Sequence, residues 1–425
     1  MNSNIYELCK ELFPINRSLT GDGVRETLSI LKRELPDLNT YEIPSGTKCF
    51  DWTIPKEWNC KDAYIIDPNG NKICDFRINN LHLVGYSTPI NKIMNLLELD
   101  KYLYSLPELP NAIPYITSYY KERWGFCITH NERKKLKDGN YKVVINSTLQ
   151  DGSLTYGELF IKGSSEEEIF FSTYVCHPSM GNNELSGPTV VTYLSKYIQS
   201  LKNRRYSYRI IFIPETIGSI LYLSRHIDIM KKNTVAGFNV TCVGDNNAYS
   251  YLPSRDENTL SDKVALHILK HSVKEFKKYS FLDRGSDERQ YCSPNVDLPV
   301  CSIMRTKYSE YKEYHTSLDN LDYISAEGLN GSYEIYIKVI EALENNYVYE
   351  LTTLCEPQLG KRGLYPMLST KSTQSEVENM MNFLAYCDGK YNLIEIANKI
   401  NIPIYDLYNL VNILNKNSLI KRVEE

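Results

Sequence analysis

No stretch of this chain approaches the 18 or more consecutive apolar residues that a membrane-crossing helix needs, so a spanning protein is not expected. Charge arrives early, at Glu7, with no apolar core behind it, which is not how a secretory leader reads. No two cysteines stand in a C-x-x-C pair. The 11 present are odd in number and irregularly spaced, so they read as reduced thiols and not as a disulfide framework. Neither sign of charge dominates: 48 basic and 52 acidic residues leave a net charge of -4, and nothing electrostatic points to nucleic acid or an anionic membrane as main partner. The expectation is a cytoplasmic, soluble protein, and 425 residues are too many for a single core.

Two helices are expected within 3–35, where Ile5, Leu8 and Leu12, then Val24, Leu28, Leu31 and Leu35 recur at helical spacing. From about Thr40 the chain becomes rich in short strands and turns, with Pro68-Asn-Gly-Asn as a hairpin between Tyr64-Ile-Ile and Lys72-Ile-Cys. Beyond Tyr141 buried strands such as Ile169–Val175 and Arg209–Ile213 alternate with helices, the pattern of an α/β sandwich on a mixed or largely parallel sheet. Pro357, Gly360, Gly363 and Pro366 mark a linker over 352–370. Three helical patterns and a final strand follow it, in the order of a winged helix. The expected domains are an α/β domain in two pieces (1–49 and 141–352), an inserted β-rich domain (50–140) and a winged helix (371–425). Trp52, Trp58 and Trp124 of the insert are expected to wall one side of a cleft.

Catalytic groups on open α/β sheets sit at the carboxyl ends of strands. Here such ends carry Cys176-His177-Pro-Ser followed by Asn183-Glu184-Leu-Ser-Gly, and Pro214-Glu215-Thr-Ile-Gly-Ser. Further on come Gly285-Ser-Asp287-Glu-Arg and Glu313-Tyr-His315-Thr. A zinc hydrolase needs two or three His and carboxylate ligands, an open position for water and a carboxylate to accept a proton, and this set supplies them. Plainer roles are also open. Glu184 and Glu215 suit helix N-termini, Asp287 could pair with Arg284 and Arg289, and His267 and His271 suit a solvated helix face. A Cys176–His177 dyad is disfavoured because adjacent strand residues face opposite ways.

The order of these motifs resembles zinc aminopeptidases of the di-zinc exopeptidase clan. The whole chain is similar to a bacterial aminopeptidase-like family with an inserted domain of unknown function and a C-terminal winged helix. The shared signatures include Asp51-Trp-Thr-Ile-Pro-Lys-Glu-Trp, Trp124-Gly-Phe-Cys, Val175-Cys-His-Pro-Ser, Asn182-Asn-Glu-Leu-Ser-Gly-Pro, Pro214-Glu-Thr-Ile-Gly-Ser, Gly285-Ser-Asp-Glu-Arg and Glu313-Tyr-His-Thr-Ser-Leu-Asp. The resemblance implies a zinc-exopeptidase-like mixed-sheet sandwich. It makes His177 the first zinc ligand, His315 the last, Glu215 a metal-binding carboxylate, and Asp287 an acid that lines the site. It also exposes departures. The bridging aspartate falls on Asn183, the usual general base on Pro214, the aspartate of the following strand on Thr241, and the acid that orients the first ligand on Ser179.

A neutral amide cannot offset the repulsion of two dications, so the expectation is one zinc on His177, Glu184 and His315, with Glu215 as general base or extra ligand and Asp287 as a further catalytic group. The expected activity is hydrolysis of a terminal amide bond in a small peptide or amide-bearing metabolite by metal-activated water. Two alternatives stand beside it: an inactive binding or scaffold protein, and a ligand-sensing DNA-binding regulator. Against the last, the helix expected to read DNA (Ile404–Asn415) carries Asp406 and no basic residue. A homo-oligomer through the insert or the winged helix is left open.

Overall fold

The computed structural model describes residues 4–364 and 371–423; Pro366 of the expected linker and the first three residues lie outside them. Eight strands form the main sheet: β1 (Asn39–Pro44), β2 (Ser153–Ile161), β3 (Glu168–Tyr174), β4 (Ser207–Ile213), β5 (Thr234–Asn239), β6 (Ser250–Leu252), β7 (Lys277–Lys278) and β8 (Val300–Met304). Their spatial order is β1-β2-β4-β3-β5-β8-β6-β7. The middle four, β4-β3-β5-β8, run parallel, and antiparallel pairs flank them. Every residue of β3 and β4 is buried, as strands covered on both faces must be. The crossovers that parallel pairing demands include the helices Ser186–Ser200 and Ile217–Asn233. The carboxyl ends of the four parallel strands therefore open along one edge.

One charged residue interrupts the apolar run of β4. Arg209 reaches Glu168 of β3 through Nε and Nη2 (2.6 and 2.8 Å) and Glu158 of β2 through Nη1 (2.7 Å), while Tyr222 donates to Glu158 at 2.8 Å. One guanidinium thus answers two carboxylates inside the sheet.

A second, antiparallel sheet orders Lys72–Ile73, Glu57–Ile66, Asn140–Gln150 and Ile90–Asn95 side by side. The expected hairpin is there, with Ile65 opposite Ile73 and Asp67 accepting from the backbone N–H of Asn69 and Asn71. The strand Asn140–Gln150 was expected to open the second piece of the α/β domain. It belongs to this sheet instead, because its residues alternate between buried and exposed, which suits a one-faced sheet, and the turn at Asp151-Gly152 then feeds β2.

The chain divides into two compact units, Met1–Ser261 with Phe276–Glu334, and Asp262–Glu275 with Ile335–Glu425. Both sheets lie in the first. The second contains the helices Lys371–Ala385, Leu393–Ile400 and Ile404–Lys416 and the strands Val348–Leu351, Asp388–Asn392 and Ile420–Arg422. Asn392 and Glu395 form a capping box at the start of Leu393–Ile400, and Asn401, left-handed at φ 55, ends it. His267 is not on a solvated face: it is 2% exposed, with Nδ1 2.7 Å from Asn398 Oδ1 and Nε2 accepting from Ile404 N at 2.9 Å. Its partners lie about 130 residues away in sequence, beyond the reach of helical periodicity. No described helix is long and apolar enough to cross a membrane.

Two outcomes follow from these buried groups. Arg209→Met strands two carboxylates and should cost about 3–5 kcal/mol in urea unfolding; a loss below about 1 kcal/mol would mean that the cluster is not holding the strands. Burial, offset in part by Asn398, holds His267 down to about 4 against its ordinary 6.5. Between those values only the unfolded chain takes the proton, so stability is level above pH 6.5 and falls as pH drops towards 4. Denaturant midpoints across that window should fall for the native chain and fall less for His267→Gln.

Candidate functional site

Three of the residues singled out above come to one place, each from a segment that follows a parallel strand. His177 follows β3, Glu215 follows β4, and His315 lies on the segment after β8. All three line a cavity of about 370 Å3, together with Trp52, Tyr115, Tyr119 and Tyr120. The rings of His177 and His315 stand 5.6 Å apart, with Tyr115 edge-on to His315 at 5.1 Å. Glu215 Oε2 lies 3.7 Å from His177 Nε2. Glu215 is the one carboxylate among the described lining residues, and no lysine or arginine lines the cavity. Of the three tryptophans expected at the cleft only Trp52 reaches it. Trp58 is buried against Tyr86, and Trp124 stacks on Tyr102 at 3.9 Å.

His177 owes its orientation to Glu184. A π-helical turn, Gly181–Leu185, carries Glu184 into the interior, where Oε2 lies 3.0 Å from both the backbone N and Nδ1 of His177. That bond places the ring proton on Nδ1 and leaves Nε2 for the cavity. The resemblance set the orienting acid at Ser179, but that hydroxyl bonds Phe13 O (2.5 Å) and Asn80 (2.8 Å). Sequence reading missed Arg17, whose side chain is wholly buried. Its Nε donates to His177 O at 2.9 Å and lies 3.1 Å from Glu184 Oε1, an ion pair whose N–H points at the carbonyl and leaves Oε1 with no aligned hydrogen bond. A lone Arg between Asn16 and Ser18, in a segment with apolar Ile15 and Leu19, was the only signal available.

Burial lowers the His177 pKa, while Cys176 and Glu184 work to raise it. The Cys176 thiol is pushed up to about 11 by burial and is neutral at pH 7, so its share of that rise falls away and Glu184 alone works against burial. Cys176 does approach His177, because β3 ends at Tyr174 and strand alternation no longer applies. Its Sγ lies 3.5 Å from Nδ1, the nitrogen already facing Glu184, so no thiol–imidazole relay through two nitrogens exists. Cys176, His177 and Glu184 form a group whose ligand atoms lie within 4.8 Å of one another. A cation there would sit against Arg17, and Glu184 is not among the residues lining the cavity. The expected set of His177, Glu184 and His315 is therefore not assembled around one point: Glu184 stands behind His177, and Glu215 stands in front of it.

Neither Glu184 nor Glu215 caps a helix. Asp319 does so for the turn that holds Glu184, accepting from Asn182 N (2.6 Å) and Asn183 N (3.0 Å). Asp287 does so after Glu215, accepting from Thr216 N (2.7 Å) and Ser219 Oγ (2.9 Å). Thr216 has φ 64 and ψ -76, and Ile217 N bonds Glu215 O at 2.8 Å: a γ-turn of the strained, positive-φ kind, on a β-branched residue. Asp287 was expected to be catalytic. It is fully buried, absent from the cavity lining, and pinned to this turn, so it acts on Glu215 by position. Burial, then the charge of Glu215, raises it to about 8. Neither Arg284 nor Arg289 makes an ion pair with it.

His315 is also left-handed, at φ 55. Burial and then His177 push its pKa down to about 3, so it is a neutral imidazole, and its Nε2 is buried with no hydrogen-bond partner. A neutral, partnerless imidazole nitrogen beside His177 and a carboxylate is a donor set that fits zinc. Where the resemblance places two further metal-binding aspartates, this chain links Asn183 Nδ2 and Thr241 Oγ1 through Tyr174 Oη, at 2.7 and 2.5 Å.

Comparisons with known proteins agree with this architecture. A winged helix-turn-helix family matches residues 347–422. A Clostridium acetobutylicum protein named "Putative polysaccharide biosynthesis protein with aminopeptidase-like domain" is 49% identical over 397 residues, 93% of this chain and 91% of the relative. A crystal structure of a "putative peptidase" from the same organism superposes with a TM-score of 0.94 at 45% identity, covering 99% of this chain and 96% of the other. The fold is also that of a Shewanella amazonensis peptidase M28 precursor (TM-score 0.57, 13% identity, covering 84% and 95%) and of a Bacillus subtilis zinc aminopeptidase (0.56, 12%, covering 80% and 94%). The chain, matched over residues 6–346, belongs to the family described as a domain of unknown function, DUF4910, here on an M28 aminopeptidase-like fold followed by a winged helix.

Proposed function

We propose that this chain hydrolyses a terminal amide bond of a small peptide or amide-bearing metabolite, with one zinc ion held by His177 and His315 in the cavity and Glu215 as its working carboxylate. The observation that carries this is the partnerless Nε2 of His315 in the same cavity as His177 and Glu215. Zinc supplies Lewis acidity to such a site, lowering the pKa of water and polarising a carbonyl. Glu184 and Arg17 hold the His177 ring, and Ser286 (2.8 Å from Glu215 Oε1) with Asp287 holds the carboxylate, leaving Oε2 free to complete the ligand set or to take a proton. The cavity's size suits a small substrate. The relative's name, which couples an aminopeptidase-like domain with polysaccharide biosynthesis, is compatible with a metabolite.

A binding-only reading draws on Pro214, which has no carboxylate, and on the neutral Asn183–Tyr174–Thr241 bridge. The DNA-regulator reading is disfavoured by geometry. Helix-turn-helix readers insert the N-terminal residues of the second helix into the groove. Here the N–H of Ile404 is spent on His267, Lys270 bonds Asn401, and Tyr405 bonds His271 O at 3.0 Å.

Elemental analysis should find about one zinc per chain, lost in His177→Ala and His315→Ala and kept in Cys176→Ala. Glu215→Gln should lower turnover of aminoacyl or acyl-amide substrates by about 10²–10⁴-fold; zinc retained in that variant would make Glu215 the proton acceptor, and zinc lost would make it a ligand. Failure of added zinc to bind native protein would sink the hydrolase and leave the binding protein. Separately, native protein should show no salt-sensitive shift of duplex DNA, and a steep salt dependence would restore the regulator.

A further inference from the structure

Arg289 lies at the border of the cavity without lining it. Its Nε donates to Ser286 O at 3.0 Å, and its Nη2 donates to Thr216 Oγ1 at 3.1 Å. These partners come from the two segments that place the working carboxylate: Ser286 Oγ bonds Glu215 Oε1, and Thr216 follows Glu215 and lines the cavity. The guanidinium is close enough for its charge to favour the ionised form of Glu215. Yet the side chain is exposed, and among the described residues no carboxylate pairs with it at ion-pair distance. Two of five N–H donors are used, both on neutral oxygens, and three remain.

An exposed arginine ordinarily pays side-chain entropy to hold one geometry. Here two bonds from separate loops already fix the plane, so a planar anion can be met by a preorganised fork. No lysine or arginine lines the cavity itself. We infer that Arg289 is the anchor for a carboxylate on the substrate, close to the scissile amide, so that the substrate class is an acylated amino acid or the C-terminal bond of a short peptide. A single guanidinium matches the single charge of a carboxylate; a phosphate dianion would call for a second arginine or lysine, and none lines the cavity. The anchor itself stands on the geometry of Arg289; reading its ligand as a substrate with a scissile amide rests on the cavity being the hydrolytic site.

The test compares N-acetylalanine with its carboxamide, N-acetylalaninamide, as ligands of the full chain by calorimetry, with zinc content measured on the same samples. Native protein should favour the carboxylate by about tenfold or more. In Arg289→Gln the ratio should fall to near one, and in Arg289→Lys part of it should return; thermal midpoints close to native would show that both variants are folded. An anchor that only pins the Thr216 turn would weaken both ligands alike. Equal binding by native protein, failure of both ligands to bind, or a preference that survives in Arg289→Gln overturns the inference. So does stronger binding of N-acetylphosphoserine than of N-acetylalanine. Zinc bound with no carboxylate preference would defeat the anchor and leave the hydrolase standing; a preference without zinc would do the reverse.

Discussion

The site depends on one buried ion pair. Glu184 and Arg17 are both removed from water, and neither could stay charged there alone, since an unpaired buried charge costs several kcal/mol. Together they are tolerable, and what they contribute is direction more than stability. The carboxylate that Arg17 balances is the one that fixes the Nδ1 proton of His177 and turns Nε2 to the cavity. Arg17 also grips the carbonyl of His177, so the first turn after β3 is held from two sides by a residue more than 150 positions earlier. If that pair moved, the imidazole would lose its tautomer and its aim together.

The second constraint is strain. Thr216 and His315 both have left-handed backbones at the cavity wall, and neither is a residue that adopts such angles cheaply. Asp287 takes the N–H of Thr216 itself, and the His315 carbonyl accepts from Tyr115 N at 2.9 Å. Asp319, four residues beyond His315, is tied to Asn182, Asn183 and the hydroxyl of Tyr311. Acids in a motif are readily read as chemistry, but here two of them buy geometry for their neighbours. The groups that face the cavity are correspondingly few: two imidazoles, one carboxylate, one thiol and a wall of aromatic rings.

Much of this is legible in the amino-acid sequence. Alternating buried strands and helices gave the mixed sheet, the Asp67–Asn71 turn gave the hairpin, and the strand-end positions of His177, Glu215 and the later His315 gave the cavity. These features are local, or follow from where chains leave a parallel sheet. The errors were of another kind. Glu184 was placed on the metal because it stands beside Asn183, where the resemblance puts the bridging aspartate, and the direction a side chain takes from a π-helical turn cannot be read from motif order. The strand Asn140–Gln150 was assigned to the wrong sheet because an alternating strand says that one face is buried, not which sheet it joins.

The sequence by itself therefore determined the class of fold, the succession of elements and the short list of residues able to carry chemistry, because periodicity and motif order are properties of neighbouring residues. Only the tertiary structure decided which of those residues face the cavity and which brace it. That decision turned on Arg17 meeting Glu184, Asp287 meeting Thr216, and Tyr174 joining Asn183 to Thr241. All but Tyr174–Asn183, nine residues apart, join residues distant in the chain, where burial makes an unmet charge or hydrogen bond costly enough to fix the partner.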